Sequence, residues 1–86
     1  MSKTKTQILN YTVHIKPSLD GGFDVSVPAL PGCLTQGNTY EEAISMAREC
    51  IQGFIEALRK QGLPVPKERV SLVQRLKLVL PIALPA

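Results

Sequence analysis

Few side chains in this 86-residue sequence are of the kinds that break bonds or hold metals, and their spacing decides what they could do. His14 is the single histidine, on the polar side of the alternating run NYTVHIKP with Thr12 and Lys16. No cysteine or carboxylate is placed by the sequence to orient it as a base or ligand, so a surface histidine is the simpler reading. An enzyme would need His14 and Asp24 to meet in a cleft. Asp20 and Asp24 could share a divalent cation at a strand end, yet no third ligand is in view and turn chemistry accounts for Asp20. Cys33 and Cys50 form neither a Cys-x-x-Cys pair nor a disulfide framework, so they read as buried small hydrophobes in a reducing compartment. Ser18, Ser26, Ser45 and Ser71 lack a glycine-flanked nucleophile setting, and neither common phosphate-binding glycine loop occurs. The expectation is a protein that is not an enzyme and needs no cofactor or metal.

With 44% hydrophobic and 20% charged residues, the chain has ordinary globular proportions, which argues against disorder, collagen-like repeats or a coiled coil. We expect one domain over residues 1–86, with a core over 9–80 and with 1–7 and 82–86 flexible or docked on a neighbouring subunit. A domain this small buries only about 60% of its unfolded surface, so self-association as a homodimer or higher oligomer is expected. The opening MSKTKTQILNY lacks the apolar core of a signal peptide, and the run Leu78–Ala86 is too short and proline-broken to span a bilayer. A cytoplasmic address without membrane contact follows as an expectation.

The elements can be read from periodicity. Tyr11, Val13 and Ile15 share one face of a first strand. Asp20-Gly21-Gly22 suits a two-residue hairpin turn into a second strand, with Phe23, Val25 and Val27 on its apolar side. Pro28 stops that strand, Pro31-Gly32 fits the middle of a type II turn, and CLTQ makes a short third strand. Thr39 sits where a helix N-cap belongs, with Glu42 completing a capping box. From Tyr40 to Gln61, the residues Ala43, Ile44, Ala47, Ile51, Phe54, Ile55 and Leu58 form one helical stripe that covers the sheet. Gly53 interrupts it, which suggests close packing on the sheet there. Gly62 ends the helix, and LVQRLKLVLP reads as a fourth strand closed by Pro81, although its apolar residues would also make a helical stripe. For residues 68–74 both strand and helix stay open.

Charge is unevenly placed. Residues 1–58 carry a net −2 and residues 59–86 a net +5, the latter from Arg59, Lys60, Lys67, Arg69, Arg75 and Lys77 against Glu68 alone. That patch could face nucleic acid or an acidic partner; a solvated helix end and a charged strand edge is the simpler account, because no aromatic interleaves the bases.

The ordered motif Gly22, Phe23, Val27, Pro28, Leu30, Pro31, Gly32, Cys33, Thr35, Gly37, Thr39, Glu41, Glu42 and Ala43, preceded by Gly21, resembles the HicB-like antitoxin family from about Tyr11 to the connector at Gly62–Pro66. The resemblance implies a partial ribonuclease-H-like α+β domain in β-β-β-α-β order: a three-stranded antiparallel sheet, one helix across it and a fourth strand. It further implies a partner, a small HicA-like toxin acting as an mRNA interferase, which the antitoxin would neutralise by masking its active site. The likeness to ribonuclease H is one of shape, since no acidic cluster for two metal ions is present. Residues 67–86 contain no recognisable helix-turn-helix or ribbon-helix-helix segment for DNA.

Four groups of site residues follow. Gly21, Gly22, Phe23, Pro28, Pro31, Gly32, Gly37, Thr39 and Glu42 are the motif that shapes the fold. Glu42, Glu49 and Glu56 form the acidic helix face that a cationic toxin would prefer. Arg69, Arg75 and Lys77 are the candidates for nucleic acid in the alternative reading, a stand-alone homo-oligomer with a regulatory role through its basic C-terminal strand. Leu76, Leu78 and Leu80 are expected at the subunit contact, as a leucine-rich late strand is otherwise an aggregation hazard.

Overall fold

The computed structural model describes residues 6–68 and 78–85. Among these residues, five strands and one helix follow in the order β1 (Thr6–Thr12), β2 (His14–Pro17), β3 (Phe23–Ser26), β4 (Leu34–Gly37), α1 (Tyr40–Lys60) and β5 (Val79–Pro85). The architecture is mixed α+β with antiparallel pairing among the described strands: β2, β3 and β4 form a three-stranded sheet, while the expected first strand is split, its first half β1 pairing with β5 in a separate two-stranded sheet. The split lies at Val13, where a single extended path changes partner.

Hydrogen-bond alternation explains the exchange. The Val13 N–H donates to Leu78 O at 2.9 Å, so the odd residues of the long strand face β5. The even residues face the other way, where His14 and Lys16 pair with Ser26 and Asp24 of β3. Continuing that register would set Thr12 against Pro28, which has no N–H and stops β3. β5 takes over on the opposite edge, opposing Thr6–Thr12 from Pro85 back to Val79. Pro81 and Pro85 fall opposite Asn10 and Thr6 at positions that make no ladder bond, so the prolines that argue against a strand turn their donor-less nitrogens to the outer edge. The last strand therefore continues past Pro81, its expected close, to Pro85. Residues 69–77, on which the rest of the expected strand and most of the open choice for 68–74 fall, lie outside the described residues. Ile82, assigned to a fraying or docked tail, is fully buried in the chain's own core.

The hairpin between β2 and β3 also differs from expectation. Ser18 N–H donates to Gly22 O at 3.0 Å and Gly21 N–H to Ser18 O at 3.2 Å, which makes a three-residue loop with Leu19 fully exposed at its tip. The link from β3 to β4 is two tight turns in succession: Leu30 N–H donates to Val27 O at 3.0 Å, and Cys33 N–H to Leu30 O at 2.9 Å. Gly32 at φ 90° supplies the positive dihedral that the second turn needs after Pro31.

α1 is capped as its sequence demands. Thr39 Oγ1 accepts from Glu42 N–H at 3.0 Å, while Glu42 Oε1 accepts from Asn38 N–H at 3.2 Å, one residue before the cap. At the other end Leu63 N–H reaches Leu58 O at 2.9 Å and Gly62 N–H reaches Arg59 O at 3.1 Å, the paired bonds of a Schellman motif. Ala43, Ala47, Ile51 and Ile55 recur every four residues and are buried on Tyr11, Val13, Val25, Val27, Leu30, Cys33, Leu80 and Ile82. Gly53 does not pack on the sheet: it is exposed, with nothing within 4 Å of where a Cβ would stand.

Candidate functional site

Gly22, Phe23, Gly37, Thr39 and Glu42 meet at one end of the fold, whereas Pro28, Pro31 and Gly32 lie in the double turn at the opposite end of β3 and β4. A Cβ on Gly22 would stand 2.6 Å from Gly37 O, and a Cβ on Gly37 would stand 2.5 Å from Ala43 N. Hairpin, β4 and the first turn of α1 are thus stacked backbone on backbone, which only glycine at both places permits. Phe23 is half-buried beside them, its ring edge-to-face with Tyr40 at 6.0 Å and 85°. Gly21 lies in the hairpin loop, Pro28 and the Pro31-Gly32 pair shape the double turn, and Thr39 and Glu42 cap the helix. These residues build the site's frame and leave its chemistry to the surfaces around it.

Two such surfaces stand out. Along α1, Glu42, Glu49 and Glu56 are all exposed, seven residues apart, and so extend a carboxylate row over about 21 Å of one side of the helix. Glu56 is held by Lys60 at 3.3 Å, with both side chains largely exposed, so that pair is worth little in stability. The second surface is the sheet face opposite the helix, where His14, Lys16 and Asp24 are exposed together with Leu34, which is 68% accessible.

His14 and Asp24 share that face as diagonal neighbours but not a cleft. His14 borders a 440 Å³ groove with Val13, Ile15, Lys16, Tyr40 and Leu78, whereas Asp24 borders a separate 320 Å³ hollow with Val25, Ser26, Leu34 and Thr35, Lys16 standing at the rim between them. No group of three or more histidine, cysteine or acidic side chains among the described residues could hold a metal ion, and Asp20 stays at the hairpin loop. Of the proposed subunit contacts, Leu80 is buried in this chain's own core and Leu78 is half-buried against it. Leu76, Arg69, Arg75 and Lys77 lie outside the described residues.

The spacing of the sequence missed two features. The connector after α1 returns to the sheet: the Tyr11 hydroxyl donates to Pro66 O at 2.6 Å, and Glu68 accepts from both the N–H and the hydroxyl of Thr12. Burial, helped by the Glu68 charge, raises the Tyr11 pKa above its ordinary 10.0. The Cys33 and Cys50 sulfurs, 17 residues apart in sequence, stand 3.2 Å from each other. Burial and the Cys50 thiol push the Cys33 pKa up to about 12.

The sequence profile described as a HicB_like antitoxin of bacterial toxin-antitoxin system matches residues 11–77. The chain belongs to the HicB-like antitoxin family. A UPF0150 protein of Synechocystis sp. is 48% identical over 68 residues, 79% of this chain and 86% of that protein. A UPF0150 protein of Thermoplasma acidophilum is 45% identical over 63 residues, 73% of this chain and 91% of that one. Antitoxin HicB 1 of Photorhabdus laumondii is 39% identical over 62 residues, 67% of this chain but only 40% of the longer relative. Among solved structures, the N-terminal domain of the Burkholderia pseudomallei antitoxin HicB superposes with a TM-score of 0.69 at 24% identity, covering 88% of this chain and 98% of that domain, which is a likeness of fold. A chain of a HicA3 and HicB3 toxin–antitoxin complex gives 0.60 at 25% identity, covering 88% and 95%. No helix of this HicB-like domain, among the described residues, is long and apolar enough to cross a membrane.

Proposed function

We propose that this protein is an antitoxin-type binding module that neutralises a small HicA-like mRNA interferase by covering its active site. The observation that carries this reading is the match of nearly the whole domain to a chain from a HicA3–HicB3 toxin–antitoxin complex. Support comes from the carboxylate row of Glu42, Glu49 and Glu56, whose field would speed encounter with a cationic toxin and fix its orientation. Self-association belongs to the same reading, since the core is thin. With Leu80 used internally and the β5 edge blunted by Pro81 and Pro85, the outer edge of β4 beside exposed Leu34 is the better place for a second copy to pair.

The deciding experiment is purification of the tagged protein from its own cells, with identification and stoichiometry of what elutes. A small basic protein at close to one copy per chain, whose ribonuclease activity disappears in the complex, is the expected result. Elution with self-copies or nucleic acid alone overturns it, and the basic segment holding Arg69, Arg75 and Lys77 then becomes the functional surface.

A further inference from the structure

The sulfur pair has a chemistry that the toxin-binding reading does not use. Cys33 immediately precedes β4 and is held by its own backbone, its N–H donating to Leu30 O at 2.9 Å and its carbonyl accepting from Val27 N–H at 3.3 Å. Cys50 lies on the flank of α1 above it, and Phe54, one helical turn further on, reaches toward Gly32. The two thiols therefore sit where the double turn meets the helix, with sulfurs 3.2 Å apart. That is closer than unbonded sulfurs usually stand, and about 1.2 Å of approach would complete a disulfide. Their exposure differs: Cys33 is 1% accessible, whereas Cys50 is half-buried.

We propose that Cys33 and Cys50 form a peroxide-reactive dithiol, in which Cys50 meets the oxidant and Cys33 resolves it to an intramolecular disulfide between the turn before β4 and α1. In the first step the Cys50 thiolate attacks one oxygen of a hydroperoxide, the O–O bond breaks, and the leaving oxygen takes a proton to become water or an alcohol. The product is a Cys50 sulfenic acid. Cys33 sulfur then attacks the Cys50 sulfur, the S–O bond breaks, and the Cys33 proton leaves with the hydroxyl group as water. Two thiols are oxidised and one peroxide is reduced. The raised Cys33 pKa argues only against Cys33 as the first nucleophile; the resolving step rests on the 3.2 Å approach of the two sulfurs, with the Cys33 proton passing to the leaving hydroxyl as its sulfur attacks.

The reaction depends on no toxin, so its test stands apart from the proposed function. The folded, reduced full chain is treated with hydrogen peroxide, then unfolded and alkylated, and its intact mass is measured. The expected product is a monomeric chain lighter by two hydrogens, with no alkylatable thiol, restored by dithiothreitol. In the Cys33→Ala chain the sulfenic acid on Cys50 should accumulate and be captured by dimedone. In the Cys50→Ala chain Cys33 should stay alkylatable after the same treatment. Disulfides formed only between chains, or Cys50 carried on to the sulfinic acid while Cys33 remains a thiol in the unaltered protein, would overturn the proposal. Oxidation of Cys33 at an undiminished rate without Cys50 would overturn the order of the steps.

Discussion

The Glu68 carboxylate stands where Thr12 would otherwise have a strand neighbour, accepting from the Thr12 backbone N–H at 3.0 Å with one oxygen and from its hydroxyl with the other. Thr12 is 4% accessible, and the residue that the β2–β3 register sets opposite it is Pro28. A side chain from the far end of the sequence thus satisfies a donor that the early end of β3 leaves over. The same connector meets the Tyr11 hydroxyl through Pro66, so two adjacent strand residues anchor it.

Removing that carboxylate should be costly. Glu68→Ala is expected to lower stability by about 1–3 kcal/mol, the penalty of a buried unpartnered donor, and Glu68→Gln by less, since an amide oxygen can still accept. Urea unfolding of the three proteins measures the order, and an unchanged midpoint for Glu68→Ala would show that water reaches Thr12.

Alkaline stability should follow Tyr11 and Cys33. Both hold their protons more tightly in the folded chain than at their ordinary values of 10.0 and 9.0. Above those values the unfolded chain has lost protons that the folded chain keeps, so stability is fully present below about pH 9 and falls as pH rises toward 12. Tyr11→Phe should flatten the part of the decline beyond pH 10, and Cys33→Ala the part that starts near pH 9. Stability that rises across this range would contradict the assignment.

Two glycines should answer alanine in opposite senses. Gly37→Ala places a Cβ within 2.5 Å of Ala43 N and 2.7 Å of its Cα, neither of which can rotate away, so a loss of about 3 kcal/mol or failure to fold is expected. Gly53→Ala meets nothing and should gain about 1 kcal/mol of helix propensity. Thermal unfolding of both variants decides whether the hairpin, β4 and the helix start are stacked as closely as described.

The carboxylate row can be tested without disturbing the cap. Glu42 also accepts from Asn38 N–H, so the clean change is Glu49→Lys with Glu56→Lys. At low salt the pair should slow association with a cationic toxin by at least about tenfold, with the difference shrinking as salt is added. Equal rates in stopped-flow mixing would move the contact to another face.

Features set by near neighbours in the chain are legible from the sequence. Thr39, the four-residue recurrence from Ala43 to Ile55 and Gly62 specify the helix and both its ends, because capping and helical burial depend on residues three to five apart. Pro31-Gly32 specifies its turn in the same way, and the motif from Gly22 to Ala43 was enough to place the chain in its family. Tertiary structure decided the rest. Pro81 argued for a strand end until pairing with β1 turned its nitrogen outward, and Gly53 argued for close packing that the helix does not make. Glu68 over Thr12, Gly37 under Ala43 and Cys33 against Cys50 join residues that periodicity does not relate. Which group satisfies a leftover N–H, or which sulfurs meet, depends on how separate segments are brought together, and that placement is fixed only when the core closes.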